Sequence, residues 1–239
     1  MRTAVYAGTR NVYSDMETAL KSLLYNTKVD RVYLLAEDDE LPFSAELPEY
    51  VKVINVSNQT YIRKDSPNYD TPWTYMALVR AALTKILPDE DLVLSLDIDT
   101  IVDKNIGELW DVDMNGCYIA GVNEPEKKGF PQPYVNFGVL VMDLRLLREI
   151  DDKILHSLNT EYTFANEQDV FNRMCRGRIK LLPSRYNASS YAAPCGDPKI
   201  IHFAGIGEHL PWSRRRWQDS PLVQKYKRIS WEEIKCQNT

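Results

Sequence analysis

Several classes of protein are excluded by what this sequence lacks. No segment of its 239 residues approaches the roughly 18 consecutive apolar residues of a membrane-spanning helix. Its start shows no basic stretch leading through an apolar core to a cleavage site. The expectation is a soluble cytoplasmic protein with neither signal peptide nor membrane span. The four cysteines, Cys117, Cys175, Cys195 and Cys236, form no Cys-x-x-Cys pair. That argues against a disulfide framework and a zinc ribbon, and for reduced thiols. The Asn-x-Ser/Thr triplets at Asn55, Asn58 and Asn187 are accidental in such a compartment. Positive charge is not in excess: 29 Lys and Arg against 34 Asp and Glu leave −5, so nucleic-acid binding has no global electrostatic support. Repeats, linkers and low-complexity stretches are also missing, which points to one domain.

What is present reads as α/β. With 44% hydrophobic residues the chain can bury a sizeable core. The apolar run "TAVYA" turns at Gly8 into "SDMETALKSLLYN", where Ser14 or Asp15 can cap a helix whose Met16, Leu20, Leu23 and Leu24 share one face. "RVYLLA" and "VKVINV" have strand length and β-branching. "TPWTYMALVRAALTKIL" predicts one helix, with Thr71 as cap, Pro72 in the first turn and Pro88 marking the end. "LVLSL" is continuously apolar, as a central strand covered on both faces must be. Downstream lie "CYIAGV", "VNFGVLVMDL", a helical stretch over 145–158, a helix in "NEQDVFNRMC", and short strands at "IKLLP" and "KIIHFAG". This rhythm predicts a Rossmann-like, mostly parallel central sheet flanked by helices, with ligands gathering beyond the carboxyl ends of the strands.

At that position stands "LSLDIDTIV". On an extended chain Asp97 and Asp99 point the same way, about 7 Å apart. Two carboxylates in apolar surroundings repel unless a cation neutralises them. Hard oxygen ligands of this kind suit Mg²⁺ or Mn²⁺ carrying a diphosphate. The bland alternative is a solvated pair ending a strand. Another chemistry shares the letters: "DIDTI" nearly matches the nucleophile loop of haloacid-dehalogenase-like phosphatases, with Asp97 phosphorylated. Those enzymes need a late Gly-Asp-x-x-x-Asp motif, and Gly196-Asp197 has Ile201 where the second acid belongs.

Taken with the later segments, the chain resembles the family 8 glycosyltransferases, retaining enzymes of GT-A fold that use nucleotide-sugar donors. "YAGTRNVY" resembles their first nucleotide-binding loop, "LVRAAL" the helix with a donor-binding cation, and "LSLDIDTIV" the D-x-D metal motif. "YVNFGVLVMDL" is similar to the Asn-x-Gly-Val strand, "NEQDVFN" to the acidic-Gln-Asp segment, and "IIHFAGIGEHLPW" to the His-x-x-Gly ending. The resemblance implies a GT-A domain over 1–212 and a basic, aromatic segment over 213–239. It implies Asp97, Asp99 and His202 as ligands of Mn²⁺, with Mg²⁺ the alternative. A UDP-sugar would be contacted by Ala7, Thr9, Asn11, Arg80, Ile98, Glu124 (or Asn123), Asn136 and Gly205, with Val12 or Tyr13 on the uracil face. Glu167 and Gln168 would serve at the sugar, unless Asn166 and Glu167 merely start a helix.

The implied reaction is transfer of a hexose with retention by front-face attack, Gln168 supporting the sugar electrostatically. The acceptor would be a glycan, lipid-linked or cell-envelope hydroxyl. The pattern departs from the family at Glu208, which stands where a diphosphate-gripping lysine is usual; His209 or one of Arg214, Arg215 and Arg216 could supply the charge. That gap motivates a third reading, a non-catalytic nucleotide-sugar-binding protein. In the C-terminal segment Trp212, Trp217, Tyr226 and Trp231 mix with cations, which suits peripheral contact with an anionic inner membrane face or, alternatively, aromatics packed on the domain.

Overall fold

The structure, a computed structural model, describes residues 1–71, 74–125, 129–205 and 213–237. In chain order its elements are β1 (Thr3–Ala7), α1 (Tyr13–Asn26), β2 (Arg31–Ala36), β3 (Val51–Asn55), α2 (Thr74–Val79), α3 (Leu83–Ile86), β4 (Leu92–Leu96) and β5 (Thr100–Val102). There follow β6 (Ile119–Asn123), β7 (Val135–Asp143), α4 (Leu144–Leu147), α5 (Asp151–Thr160), α6 (Asn166–Met174), β8 (Ile179–Leu182), β9 (Ile200–His202), α7 (Pro221–Arg228) and α8 (Trp231–Gln237).

Seven strands form one sheet in the order β3-β2-β1-β4-β7-β6-β8. β1 pairs in parallel with both β2 and β4, β2 with β3, and β6 with β8; only β7 runs antiparallel, against β4 and β6. The expected mostly parallel sheet is therefore present. Successive side chains of a strand face opposite ways, and the two faces divide the apolar residues accordingly. Tyr6, Leu94, Leu96, Val139 and Val141 pack with Met16, Leu20, Leu23 and Leu24 of α1 on one side. Val5, Val93, Leu140 and Met142 pack with Leu78, Ile154, Leu158 and Phe171 on the other. The chain extends from β1 to β2 and β3 on one side and crosses to β4 on the other, so the strand order reverses between β1 and β4. In an open sheet that reversal is where a crevice forms.

Four helical stretches begin or run in ways the sequence did not show. The single helix predicted over 71–87 is described from Thr74 and tightens into a 3-10 turn at Arg80–Ala82 before α3. The tightening occurs where the Arg80 guanidinium reaches the Asp97 carboxylate and the Phe137 carbonyl; Pro72 lies outside the described residues. α1 starts at Tyr13, so Ser14 and Asp15 sit inside its first turn and cap nothing. Asn166 opens α6 with a left-handed φ of 47°, and its side chain donates to Thr71 Oγ1 (2.7 Å). The helical stretch over 145–158 divides into α4 and α5, and α4 is capped by the Asp143 carboxylate accepting from the Leu146 N–H.

The C-terminal segment covers α1 and the small β5–β9 sheet. Trp217 meets Phe203 edge-on, and both belong with Ile101, Ile201, Val223 and Tyr226 to a third apolar cluster. Trp231 stacks on Phe43 and donates to Glu17 Oε1. Of the two readings of this segment, inward packing is the one adopted by Trp217, Tyr226 and Trp231; Trp212 lies outside the described residues. Among the described residues no helix is long and apolar enough to cross a membrane.

Candidate functional site

β4 ends at Leu96, and the chain turns at once instead of continuing extended. Thr100 donates to the Asp97 carbonyl through both its N–H (3.2 Å) and its hydroxyl (2.6 Å). The extended-chain geometry expected of the two acids therefore gives way to a turn. After it, β5 pairs antiparallel with β9, setting Thr100 opposite His202, and the Phe203 N–H donates to the Asp99 carbonyl (2.9 Å). Two short apolar strands thus carry an imidazole across about a hundred positions of sequence to the acids. His202 Nε2 lies 3.6 Å from Asp97 Oδ2 and 3.3 Å from Asp99 Oδ1. One donor atom from each of the three lies within 4.8 Å of the others, a spacing that could hold a metal ion.

The neighbours are chosen by charge. The second oxygen of Asp97 is paired with Arg80, which is itself only 6% exposed. Burial favours the neutral form of Asp99, but His202 and Arg214 outweigh it and hold the carboxyl below its usual range. Burial also disfavours charge on His202, yet Asp99 and Asp97 win and raise it. Glu167 is pushed up to about 7, mainly by burial and against the pull of Arg80.

β7 supplies the opposite wall. Its antiparallel register sets Gly138 beside Asp97, whose N–H donates to the Gly138 carbonyl (2.9 Å). The His202 ring lies directly on Gly138: a Cβ there would stand 2.9 Å from Nε2 and closer still to Cε1 and Nδ1. Only glycine fits, which gives the Asn-x-Gly-Val pattern a steric meaning. The Phe137 N–H donates to Gln168 Oε1 (3.0 Å), and Gln168 Nε2 donates to the Tyr134 hydroxyl (3.0 Å), which in turn donates to Asp169. Asn172 adds a two-point clasp on Val135, accepting from its N–H (2.7 Å) and donating to its carbonyl (2.9 Å). Glu124, beyond β6, accepts from Asn136 Nδ2 (2.6 Å).

Asp97, Asp99, His202, Arg80, Asn136, Glu124, Glu167 and Gln168 thus converge on the rim at the strand-order reversal. The first loop reaches that rim too. Ala7 ends β1, and a Cβ on Gly8 would meet Ile98, the residue between the acids, at 3.5 Å. Thr9 donates to Asn11 (2.5 Å) in the exposed turn that follows. Of the two candidates for a flat stacking face, Tyr13 is turned inward. It is buried, its hydroxyl accepting from the Glu37 N–H (2.9 Å) and donating to Asp38 (3.1 Å), and half-buried Val12 is left at the surface. Gly205 has a left-handed φ of 78° and lies against the Tyr191 hydroxyl. Glu208 and His209 lie outside the described residues. Asp197, the acid weighed for phosphatase chemistry, is on the surface and paired with Lys104.

Sequence reasoning passed over Tyr134, Asp169, Asn172 and Asn187, the buried groups that hold the others. A signal existed for the first three: polar residues recurring beside buried Val170 and Phe171 on one short helix, and a tyrosine opening an apolar strand.

A family model, glycosyl transferase family 8, matches residues 16–216. The chain belongs to this family. It is 25% identical over 272 residues to glycosyltransferase GlyF of Streptococcus pneumoniae, covering 100% of this chain and 65% of GlyF. Among solved structures it resembles glycosyltransferase GlyE of Streptococcus pneumoniae, with a TM-score of 0.73 at 22% identity over 99% of this chain and 62% of that one. The galactosyltransferase LgtC, solved in complex with donor and acceptor sugar analogues, gives a TM-score of 0.64 at 20% identity, over 98% of this chain and 95% of that one. These likenesses give the GT-A fold. The chain spans less than two thirds of the length of the two pneumococcal relatives.

Proposed function

We propose that the chain transfers a hexose from a UDP-sugar to an acceptor hydroxyl with retention of configuration, using Mn²⁺ held by Asp97, Asp99 and His202. The observation that carries this reading is the convergence of two carboxylates and one imidazole at the strand-order reversal. The donor set fits: carboxylates suit a hard divalent cation, and the added imidazole favours Mn²⁺ over Mg²⁺ or Ca²⁺. Bound there, the cation would supply charge stabilisation to a departing diphosphate.

The remaining roles belong to the chain's own residues. Arg80, buried on Asp97, suits a donor phosphate or sugar hydroxyl. Arg214 already acts on Asp99 electrostatically, and its N–H is anchored on the Gly205 carbonyl (2.8 Å), which supports it as the substitute for the missing lysine. Gln168 carries no charge, and its amide is held at both ends, which suits an electrostatic support beneath the sugar better than a nucleophile. The acceptor proton then passes to an oxygen of the leaving phosphate on the same face. Ala7, Thr9, Asn11, Val12 and Ile98 would contact the nucleoside; Asn136, Glu124 and Glu167 would face the sugar. The sugar acceptor analogue bound by LgtC supports a glycan acceptor; a lipid-linked or cell-envelope hydroxyl is the finer form of the proposal. With Trp217, Tyr226 and Trp231 buried, exposed cations such as Lys227 and Arg228 are the groups left to meet an anionic membrane in the cytoplasm.

The test is thermal-shift screening against UDP-, GDP- and CMP-sugars with and without Mn²⁺, followed by release of free nucleotide. Mn²⁺-dependent UDP release, abolished in Asp99→Ala, is expected. Binding without turnover would make the protein a sugar-nucleotide carrier, and Mg²⁺-dependent phosphomonoester hydrolysis indifferent to UDP would overturn the proposal.

A further inference from the structure

Three buried side chains form an unbroken hydrogen-bonded line behind the His202 ring. Asn136 Nδ2 donates to Glu124 Oε1 (2.6 Å), Asn187 Nδ2 donates to Asn136 Oδ1 (2.8 Å), and Asn187 Oδ1 lies 3.0 Å from His202 Nδ1. Glu124, Asn136, Asn187 and His202 are each more than nine-tenths buried, so water does not supply alternative partners.

The direction of this line is forced from one end. A backbone N–H can only donate, and that of Gly138 points at one terminal atom of the Asn136 amide (2.8 Å). That atom is therefore the oxygen. Glu124 agrees from the other side, since a carboxylate only accepts and so faces the NH₂ group. With Asn136 offering oxygen towards Asn187, Asn187 must turn its own NH₂ there and its oxygen towards His202. An oxygen at hydrogen-bond distance from Nδ1 requires the proton to sit on Nδ1. Flipping either amide would set like groups face to face in a buried place.

We infer that Asn187 is the positioning residue of His202: it passes the polarity of the Gly138 peptide N–H through Asn136 to the imidazole, keeping a proton on Nδ1 and leaving Nε2 as the nitrogen presented to Asp97 and Asp99. The inference rests on the metal reading above: without a cation the carboxylates 3.3 and 3.6 Å from Nε2 attract a second proton there, and the neutral form with its proton on Nδ1 is the one that a cation at Nε2 requires. A ligating histidine commonly depends on a partner for its second nitrogen, and loss of that partner weakens metal binding about 10–100-fold. Here the partner is a neutral amide in the middle of a line that ends at Glu124, so the metal pocket and the sugar-facing acid share one set of hydrogen bonds.

The experiment uses the full chain with ¹⁵N-labelled histidine. Long-range proton–nitrogen correlation spectra are recorded with Zn²⁺ as a diamagnetic substitute for Mn²⁺, the His202 signals being assigned by their loss in His202→Ala. The wild type is expected to carry its proton on Nδ1, and so is Asn187→Asp, which keeps an acceptor there. Asn187→Ala is expected to lose the preference and to bind Mn²⁺ alone about 10–100-fold more weakly by calorimetry. A wild-type proton on Nε2 overturns the inference, as does a folded Asn187→Ala with unchanged tautomer and Mn²⁺ affinity. Should Asn187→Ala fail to fold, the wild-type and Asn187→Asp spectra decide. A wild type that takes up neither ion yet carries a proton on Nδ1 would refute the metal reading and leave the Asn187 contact standing.

Discussion

Replacing Gly138 with alanine tests the site by adding one methyl group. The new Cβ would stand 2.9 Å from His202 Nε2, whereas ordinary contact begins at 3.4 Å, and two further ring atoms are nearer. The ring must therefore retreat by at least ~0.5 Å at Nε2, beyond the ~0.2 Å tolerance of metal–ligand distances. Retreat is resisted, because His202 is 4% exposed and its Nδ1 is held at Asn187. Overpacking of this kind costs about 1–3 kcal/mol. For a chain of this length that lowers Tm by roughly 2–12 °C in metal-free buffer. If the proposed site holds, the loss should be larger in Mn²⁺, since the variant would forfeit most of the stabilisation that binding to the native state would confer. Melting curves across an Mn²⁺ titration measure both effects. A Gly138→Ala protein that melts like the wild type and gains as much from Mn²⁺ would refute the steric and metal arguments together.

Other perturbations probe separate parts of the structure. Tyr134→Phe removes the hydroxyl between Gln168 and Asp169, at a cost of about 1–3 kcal/mol for groups left buried and unpaired; on the proposed function it should lower kcat for transfer well before UDP affinity by calorimetry, and equal losses would refute the role proposed for Gln168 beneath the sugar. Glu167 has an ordinary value of 4.5 and a native value of about 7, so the folded state holds the extra proton and stability falls as pH rises between them, by about 3 kcal/mol in all. Glu167→Gln should flatten the metal-free Tm profile over that window, and an unchanged profile would place the titration elsewhere. Asp15 accepts from Trp217 Nε1 (2.9 Å) and Gln218 Nε2 (3.2 Å) and pairs with Arg214. Asp15→Ala should cost about 3 kcal/mol and open the chain from Ser213 onward to limited proteolysis; a protease-resistant variant would show that apolar packing alone holds the segment.

The order of elements was legible in the sequence, because apolar runs of strand length and polar punctuation survive in one dimension; the convergence of Asp97, Asp99 and His202 was implied by the family resemblance. The continuous run "LVLSL" is central, paired with β1 and β7. Less visible were features that depend on a partner distant in sequence. Arg80 tightens its helix because it reaches Asp97 and Phe137, and no local propensity encodes that reach. Asn166 has a good capping side chain, yet the loop geometry places it inside the helix, reaching Thr71. Tyr13 reads as an exposed platform until β2 brings Glu37 and Asp38 to its hydroxyl. Asn187 read as part of an accidental triplet, and its amide is engaged at both ends in the interior.

The pairing of β5 with β9 has a consequence for biosynthesis. The acids leave the ribosome before their imidazole, held apart from it by about a hundred residues of chain. The three-residue cluster closes only when β9 has paired with β5, so uptake of the proposed ion would report that pairing rather than the formation of β4 alone.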